Sequence, residues 1–366
     1  MKWVNKGHEV VICSERHQEV LANQMADLGY FSDKRRCLMN KQITTNCTDF
    51  DIAHNINTAK YIELVPAQAI TPDGIAKLRK LSNFSILNQE KRNSSLAIKT
   101  FDIPVTERCT LRCENCCDLM QYYQHPVDAD VLEIKRDFDA FMANVDFVDY
   151  VHVFGGEPFL YDKLCDVLDY IYHQSPNANK IGLIEIVTNG TIVPNIKIIE
   201  SILRNNVRVL ISNYGKLSRR IGELVKILSA YNVAYEVLNI KFWSNIQQFT
   251  HLHAQTHEQK FKDKICIVGC KFLKKGKFYL CSFLPEGENL NLFPHDPENS
   301  LGIYGTEFSK EKLSVYLSKN AKLPGCSWCS GASLEQMENN LIPAAIQTGK
   351  PIEYKRFGDE CDNQEI

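Results

Sequence analysis

An α/β fold with parallel strands is what this sequence predicts, and three observations carry the prediction. Between about Lys99 and Trp243, short apolar strand-like segments alternate with amphipathic helical ones. Such alternation builds a parallel sheet covered by helices. Glycines and polar residues gather at the strand ends, as in Gly155-Gly156 and Thr188-Asn189-Gly190, where parallel α/β folds form their sites. No long apolar run interrupts the pattern, so no membrane-spanning helix is expected.

Each element can be read in order. KTFDIPVT is a strand leading into a cysteine-rich loop, DADVLEIKRDFDAFMANV an amphipathic helix, and DYVHVFGG a strand ending in glycines. LYDKLCDVLDYIYHQ reads as a helix, IGLIEIVTNG as a strand and NIKIIESILRNN as a helix. VRVLISNYG is a strand, SRRIGELVKILSAYN a helix and VAYEVLNIKFW a further strand. After about Phe261 the alternation stops, and Cys, Gly, Pro, Asn and Lys become frequent around a hairpin at CKFLKKGKFYLC. The last residues are polar and are expected to wrap or trail.

Three domains follow: residues 1–98, 99–260 and 261–366. In the first, KWVNKGHEVVICSE reads as a helix end, a Gly stop and a buried strand. AKYIELVPAQAI reads as a second strand and TPDGIAKLRKL as a Thr-capped helix. This resembles part of a Rossmann-like α/β domain without its opening strand and Gly-rich turn. The missing opening implies an ancestral domain that began before Met1. Glu15 stands where a ribose-binding acid would sit. Without the Gly loop, docking or substrate recognition is favoured over nucleotide binding.

Charge and cysteine usage narrow the function. A formal net charge of −2 gives no global attraction to nucleic acid or an anionic membrane. The N-terminus lacks a signal-peptide core, so a cytoplasmic, reducing location is expected. Fourteen cysteines are then better explained by metal or cluster ligation than by disulfides. Seven fall into two groups: Cys109, Cys113 and Cys116, then Cys270, Cys281, Cys326 and Cys329.

The spacing Cys109-x3-Cys113-x2-Cys116 resembles the signature of the radical S-adenosylmethionine (radical SAM) enzymes. The resemblance implies a partial (β/α)6 barrel over residues 99–260. It also implies a [4Fe–4S] cluster on three cysteines, with AdoMet chelating the fourth iron. The reduced cluster then splits AdoMet to a 5′-deoxyadenosyl radical that takes hydrogen from substrate. A zinc site or buried thiols are the alternatives for the triad alone. One position departs from the family, Asn115 standing where an aromatic residue is common; Cys117 reads as a bystander.

Gly155-Gly156-Glu157-Pro158 resembles the family's GGEP motif, which implies binding of the AdoMet amine. Glycines let carbonyls approach an ammonium, and Glu157 adds charge. Thr188 and Asn189, with Ser212, occupy family positions near the AdoMet carboxylate or ribose. The group Cys270, Cys281, Cys326 and Cys329 resembles the Twitch domain, the reduced relative of SPASM. It implies a second, auxiliary [4Fe–4S] cluster. A four-cysteine zinc knuckle, or an open cluster completed by Cys266 or Cys361, remain alternatives.

Further candidates are Tyr122, Tyr123 and His125 after the cysteine loop, and Tyr214, Lys216 and Trp243 at later strand ends. All are expected at the barrel mouth, against polar substrate. Cys165 reads as core. Cys266 is a candidate hydrogen-atom donor, and His251, His253 and His257 read as a surface helix.

The resemblance implies a radical SAM oxidoreductase or epimerase with a flavodoxin- or ferredoxin-type electron donor. The wording of the motifs favours a carbohydrate-type substrate (sugar, nucleotide sugar or aminocyclitol). Electron loss to the auxiliary cluster would oxidise it, and hydrogen return would epimerise it. A peptide-modifying enzyme is an alternative, as is a non-catalytic iron–sulfur or zinc scaffold, which would have no reason to bind AdoMet.

Overall fold

The computed structural model describes residues 4–5, 8–13, 61–64, 96–245, 270–319, 323–329 and 341–357. The chain divides into two compact units, Met1–Ser94 with Leu228–Glu236 and Ser95–Ile227 with Val237–Ile366.

The first unit contains β1 (Val4–Asn5), β2 (His8–Cys13) and β3 (Tyr61–Leu64). β2 and β3 are the two strands expected here, while Val4–Asn5, within the segment read as a helix end, forms a short strand. Among the described residues β1 pairs with β2 and β2 with β3, both antiparallel, with Val10 opposite Leu64 and Cys13 opposite Tyr61. Glu15 and the segment TPDGIAKLRKL lie outside the described residues.

The second unit is an α/β sheet of mostly parallel strands. Its strands are β4 (Ala97–Thr106), β5 (Phe147–Gly155), β6 (Ile181–Thr188), β7 (Arg208–Asn213) and, from Val237 on, β8 (Tyr235–Asn239). Between them lie α1 (Val131–Ala143), α2 (Leu164–Asp169), α3 (Ile196–Arg204) and, up to Ile227, α4 (Ile221–Ala230). The helices begin where capping chemistry dictates. Asp130 accepts from the Leu132 N–H and Asn195 from the Ile198 N–H, each satisfying an otherwise orphaned donor. Ile134, Phe138, Phe141 and Met142 of α1 recur at helical spacing and are buried. Phe141 meets Phe101 of β4 edge-on at 5.1 Å between ring centroids.

The expected strand VAYEVLNIKFW is broken. β8 ends at Asn239, and β9 (Phe242–Ser244) turns away to pair with β13 (Leu341–Pro343). The CKFLKKGKFYLC hairpin is present as β10 (Phe272–Lys274) and β11 (Lys277–Tyr279). Its turn residues Lys275 and Gly276 both have positive φ, 52° and 71°, as a tight two-residue hairpin requires. β10 runs parallel to β4, and β11 pairs with β12 (Leu301–Gly302). The cysteine-rich region thus extends the barrel's own sheet, in the order β12-β11-β10-β4-β5-β6-β7-β8. Two helices follow, α5 (Phe283–Asn289) and α6 (Lys310–Ser318).

A charged ladder crosses four strands of this sheet. Asp102, His152, Glu185 and Arg208 are register neighbours on β4 to β7. His152 Nδ1 lies 2.8 Å from Asp102 and Nε2 2.9 Å from Glu185, whose other oxygen accepts from Arg208 Nε at 2.5 Å. Side chains alternate along a strand, so Phe154 and Val187 share this face two residues further on. Both line the cavity described next.

Candidate active site

The cavity, about 500 Å³, opens at the C-terminal ends of β4 to β7. That lies within the ~300–1,000 Å³ span of small-molecule sites. Cys109, Cys113 and Cys116 form one side, Gly155, Gly156, Thr188, Asn189 and Ser212 the strand ends, and Tyr214, Trp243 and Cys270 the rest of the polar rim. Leu111, Met120, Phe154, Val187 and Phe242 supply the apolar wall.

The strand ends hold the cysteine loop by backbone pairing. Gly156 N–H donates to Thr106 O and Glu157 N–H to Arg108 O, both at 2.8 Å. A Cβ on Gly156 would stand 2.3 Å from Arg108 O and 2.8 Å from Cys109 Cβ. Glycine is required there because the two backbones touch. Asn189 Nδ2 donates to Thr110 Oγ1 at 3.0 Å and faces Cys109 Sγ at 3.6 Å, while Leu111 N–H approaches the same sulfur at 3.4 Å. Gln347 Nε2 lies 3.2 Å from Cys113 Sγ.

These thiols suit a cluster. Burial, only partly offset by the Leu111 N–H, pushes Cys109 up to about 12, and burial also raises Cys113 and Cys116. As bare thiols they would stay protonated. Bound iron reverses that balance, since a coordinating thiol is deprotonated outright. The N–H groups aimed at sulfur then become charge-assisted donors. Among the described residues no three Cys, His, Asp or Glu side chains converge on a single metal-ion position. A four-iron cluster takes each thiolate on a different iron and needs no such convergence.

Glu157 holds the wall from behind. It is fully buried and absent from the cavity lining. Its carboxylate accepts from Thr188 Oγ1 at 2.8 and 2.9 Å, from Asn189 N–H at 2.9 Å and from Phe159 N–H at 3.2 Å. Burial outweighs these donors and pushes the carboxyl up to about 7. Through these bonds Glu157 braces the Thr188-Asn189 turn. Pro158 opens the buried turn Pro158–Leu160 and does not line the cavity.

Tyr122, Tyr123 and His125 are not at this mouth. They line a separate surface depression with Asn289, Tyr354 and Arg356. Tyr123 is buried and donates its hydroxyl to Glu286, which also accepts from Lys274 Nζ at 2.8 Å. Tyr122 packs edge-on against Tyr354 at 5.3 Å. The chain after Cys116 turns away through Leu119, with φ 57°, and so carries these residues off the mouth. Tyr214 and Trp243 do meet in the cavity, edge-on at 5.6 Å; Lys216 does not line it. Cys165 is core, as expected.

Three residues of the site escaped the sequence reading. Ser218 Oγ donates to Asn189 O at 2.6 Å and accepts from Tyr214 N–H at 2.9 Å, tying the ends of β6 and β7. Asp118 lines the cavity, and burial first, then Glu286 and Asp102, push it up to about 7. Gln347 comes from the chain's far end. The polar step after each strand could have flagged Ser218 and Asp118; nothing local marks Gln347.

Cys270 precedes the β10–β11 hairpin and Cys281 follows it, while Cys326 and Cys329 lie on and just after the turn Pro324–Trp328. Burial first, then Asp102, Asp118 and Cys281, push the Cys270 thiol up. Burial first, then Cys281, Tyr279 and Cys326, likewise raise Tyr316. Cys266, Cys361, His251, His253 and His257 lie outside the described residues.

Residues 103–212 match the family model for the radical SAM superfamily. The chain carries a radical SAM domain. The three-cysteine loop and strands β5 and β6 lie within the matched residues, and the superfamily implies AdoMet and a [4Fe–4S] cluster. No curated protein matches the chain. Among solved structures it is similar to anSMEcpe with bound AdoMet and Cp18Cys peptide, at 15% identity and TM-score 0.33, over 40% of this chain and 44% of that one. It is also similar to BtrN in complex with AdoMet and 2-DOIA, at 14% and 0.43, over 66% and 96%. Streptococcus suis SuiB bound to S-adenosylmethionine matches at 13% and 0.31, over 65% and 54%. The match spans less than half the length of anSMEcpe.

Proposed function

We propose that this radical SAM enzyme abstracts hydrogen from a carbohydrate-type substrate, a sugar, nucleotide sugar or aminocyclitol, and oxidises it. Epimerisation is the variant outcome if a thiol returns the hydrogen. The observation that carries the reading is a single cavity of about 500 Å³ whose lining combines the cysteine triad and the Gly155-Gly156 and Thr188-Asn189 turns with Tyr214, Trp243 and Cys270.

When bound, AdoMet and the reduced cluster supply a 5′-deoxyadenosyl radical. This chain's residues do the rest. Cys109, Cys113 and Cys116 would hold the cluster, and the Gly155-Gly156 carbonyls, Thr188, Asn189 and Ser212 would orient AdoMet. Glu157 keeps that wall rigid from behind. Tyr214 and Trp243 offer aromatic faces and a hydroxyl to a hydroxylated ring. Cys270, Cys281, Cys326 and Cys329 would hold the auxiliary cluster, and Cys270, which lines the cavity, would bring that acceptor toward the substrate. The electron donor proposed is of flavodoxin or ferredoxin type.

The test is iron and sulfide content with EPR on anaerobically reconstituted protein, followed by AdoMet cleavage in the presence of sugars, aminocyclitols and peptides. About eight irons per chain, falling to about four in the Cys109/Cys113/Cys116→Ala variant, are expected. Cleavage should be stimulated by a sugar or aminocyclitol that loses two hydrogens. Stimulation by peptides alone would overturn the substrate class, and failure to bind AdoMet would leave a scaffold.

A further inference from the structure

We propose that Gln347 is a positioning residue that raises the reduction potential of the cluster on Cys109, Cys113 and Cys116, through an amide N–H aimed at the Cys113 sulfur. The proposal rests on the radical SAM reading and adds to it a residue from outside the superfamily domain.

The geometry is over-determined. The chain returns at β13, turns at Ala345, whose φ is 57°, and lies across the cysteine loop. Cys113 and Gln347 form an antiparallel bridge. Glu114 N–H donates to Ile346 O at 2.7 Å and Thr348 N–H to Arg112 O at 2.8 Å. Arg112 N–H donates to Gln347 Oε1 at 2.8 Å. Gln347 Nε2 donates to Ala345 O at 2.8 Å and faces Cys113 Sγ at 3.2 Å. A backbone N–H can only donate and a carbonyl can only accept, so the amide has one orientation. One N–H is occupied by Ala345, and the other is left for sulfur.

One-electron reduction adds a negative charge to the cluster and its thiolates and no proton; a low-potential reductant supplies the electron. A donor pointed at sulfur stabilises the reduced form more than the oxidised one, and hydrogen bonds to the sulfurs are a recognised control on cluster potential. The Gln347 side chain is exposed on its outer edge, so solvent screens part of the effect.

The test is an EPR-monitored dithionite titration of the reconstituted full chain without AdoMet, following the signal that AdoMet later perturbs. Gln347→Leu removes the donor. Gln347→Glu removes it but keeps an acceptor for Arg112 N–H, and serves if the leucine variant disturbs the loop. Both should hold wild-type iron and show a reduced-to-oxidised ratio lowered at least about threefold at fixed potential. That is about 28 mV, at about 59 mV per tenfold for one electron. Thr348→Val, which loses only a hydroxyl contact to Arg112 O, should titrate as wild type. An unchanged potential in both Gln347 variants overturns the proposal alone. So does iron loss in both, or an equal drop in Thr348→Val, since each makes the contact structural. Wild type that takes up no iron and sulfide overturns the radical SAM reading with it.

Discussion

Gly156 and Glu157 are adjacent, yet they serve the site by different physics. Gly156 serves by being absent beyond its Cα, because any Cβ would enter Arg108 O and Cys109 Cβ. Gly156→Ala should therefore displace Cys109 and lower iron at the triad, measured as iron per chain in a Cys281/Cys329→Ala background, where the triad is the proposed iron site that remains. Glu157 serves through both oxygens, each accepting a backbone N–H. Glu157→Gln must turn an NH2 toward one of those donors, and Glu157→Ala strands them all, at a cost of about 3 kcal/mol. Calorimetry should show AdoMet affinity and melting temperature falling together in both variants. Weaker AdoMet binding at an unchanged melting temperature would instead favour a direct contact between Glu157 and the AdoMet amine.

Strand pairing makes His152 a titrating part of the sheet. Burial alone would pull its imidazole down; the hydrogen-bonded Asp102 and Glu185 outweigh that and push it up to about 9. Against burial, His152 and then Arg208, bound to the far oxygen, hold the Glu185 carboxyl below its ordinary range. A folded-state value above the ordinary 6.5 means the stabilisation is complete below about pH 6.5. It is lost as pH rises through about 9. The loss is on the order of 3 kcal/mol. Thermal melts should fall between pH 6.5 and 9.5, and His152→Gln, which cannot take the charge, should flatten that fall. A wild-type slope retained in His152→Gln would assign it to another group.

The cysteine-rich C-terminal region and the barrel share one sheet, because β10 joins β4 beside the strand that delivers Cys109. The two proposed clusters are thereby placed by adjoining strands. Cys281→Ala with Cys329→Ala should remove about four irons while keeping the AdoMet-perturbed EPR signal. Loss of both signals together would mean that the second cysteine set is needed to build the first. Truncating the chain before Leu341 should speed air bleaching of the first cluster, since two backbone hydrogen bonds to the cysteine loop, the bond from Arg112 N–H to Gln347 Oε1 and the donor to Cys113 go with the strap.

What could be read from the sequence alone was local. Alternating strands and helices, the Cys109-Cys113-Cys116 spacing and the GGEP and TNG strand ends each lie within a few residues, and their chemistry follows from spacing and backbone freedom. The β10–β11 hairpin belongs with them, because Lys275-Gly276 declares its turn. Tertiary structure decided what depends on partners far along the chain. It turned Glu157 inward to brace Thr188-Asn189, carried Tyr122, Tyr123 and His125 away from the mouth, and split the last strand so that β9 could meet β13. It also brought Gln347 to Cys113 across 234 residues. A residue's type and spacing are written in order along the chain, but its contacts are set by packing and pairing that close only once the sheet has formed.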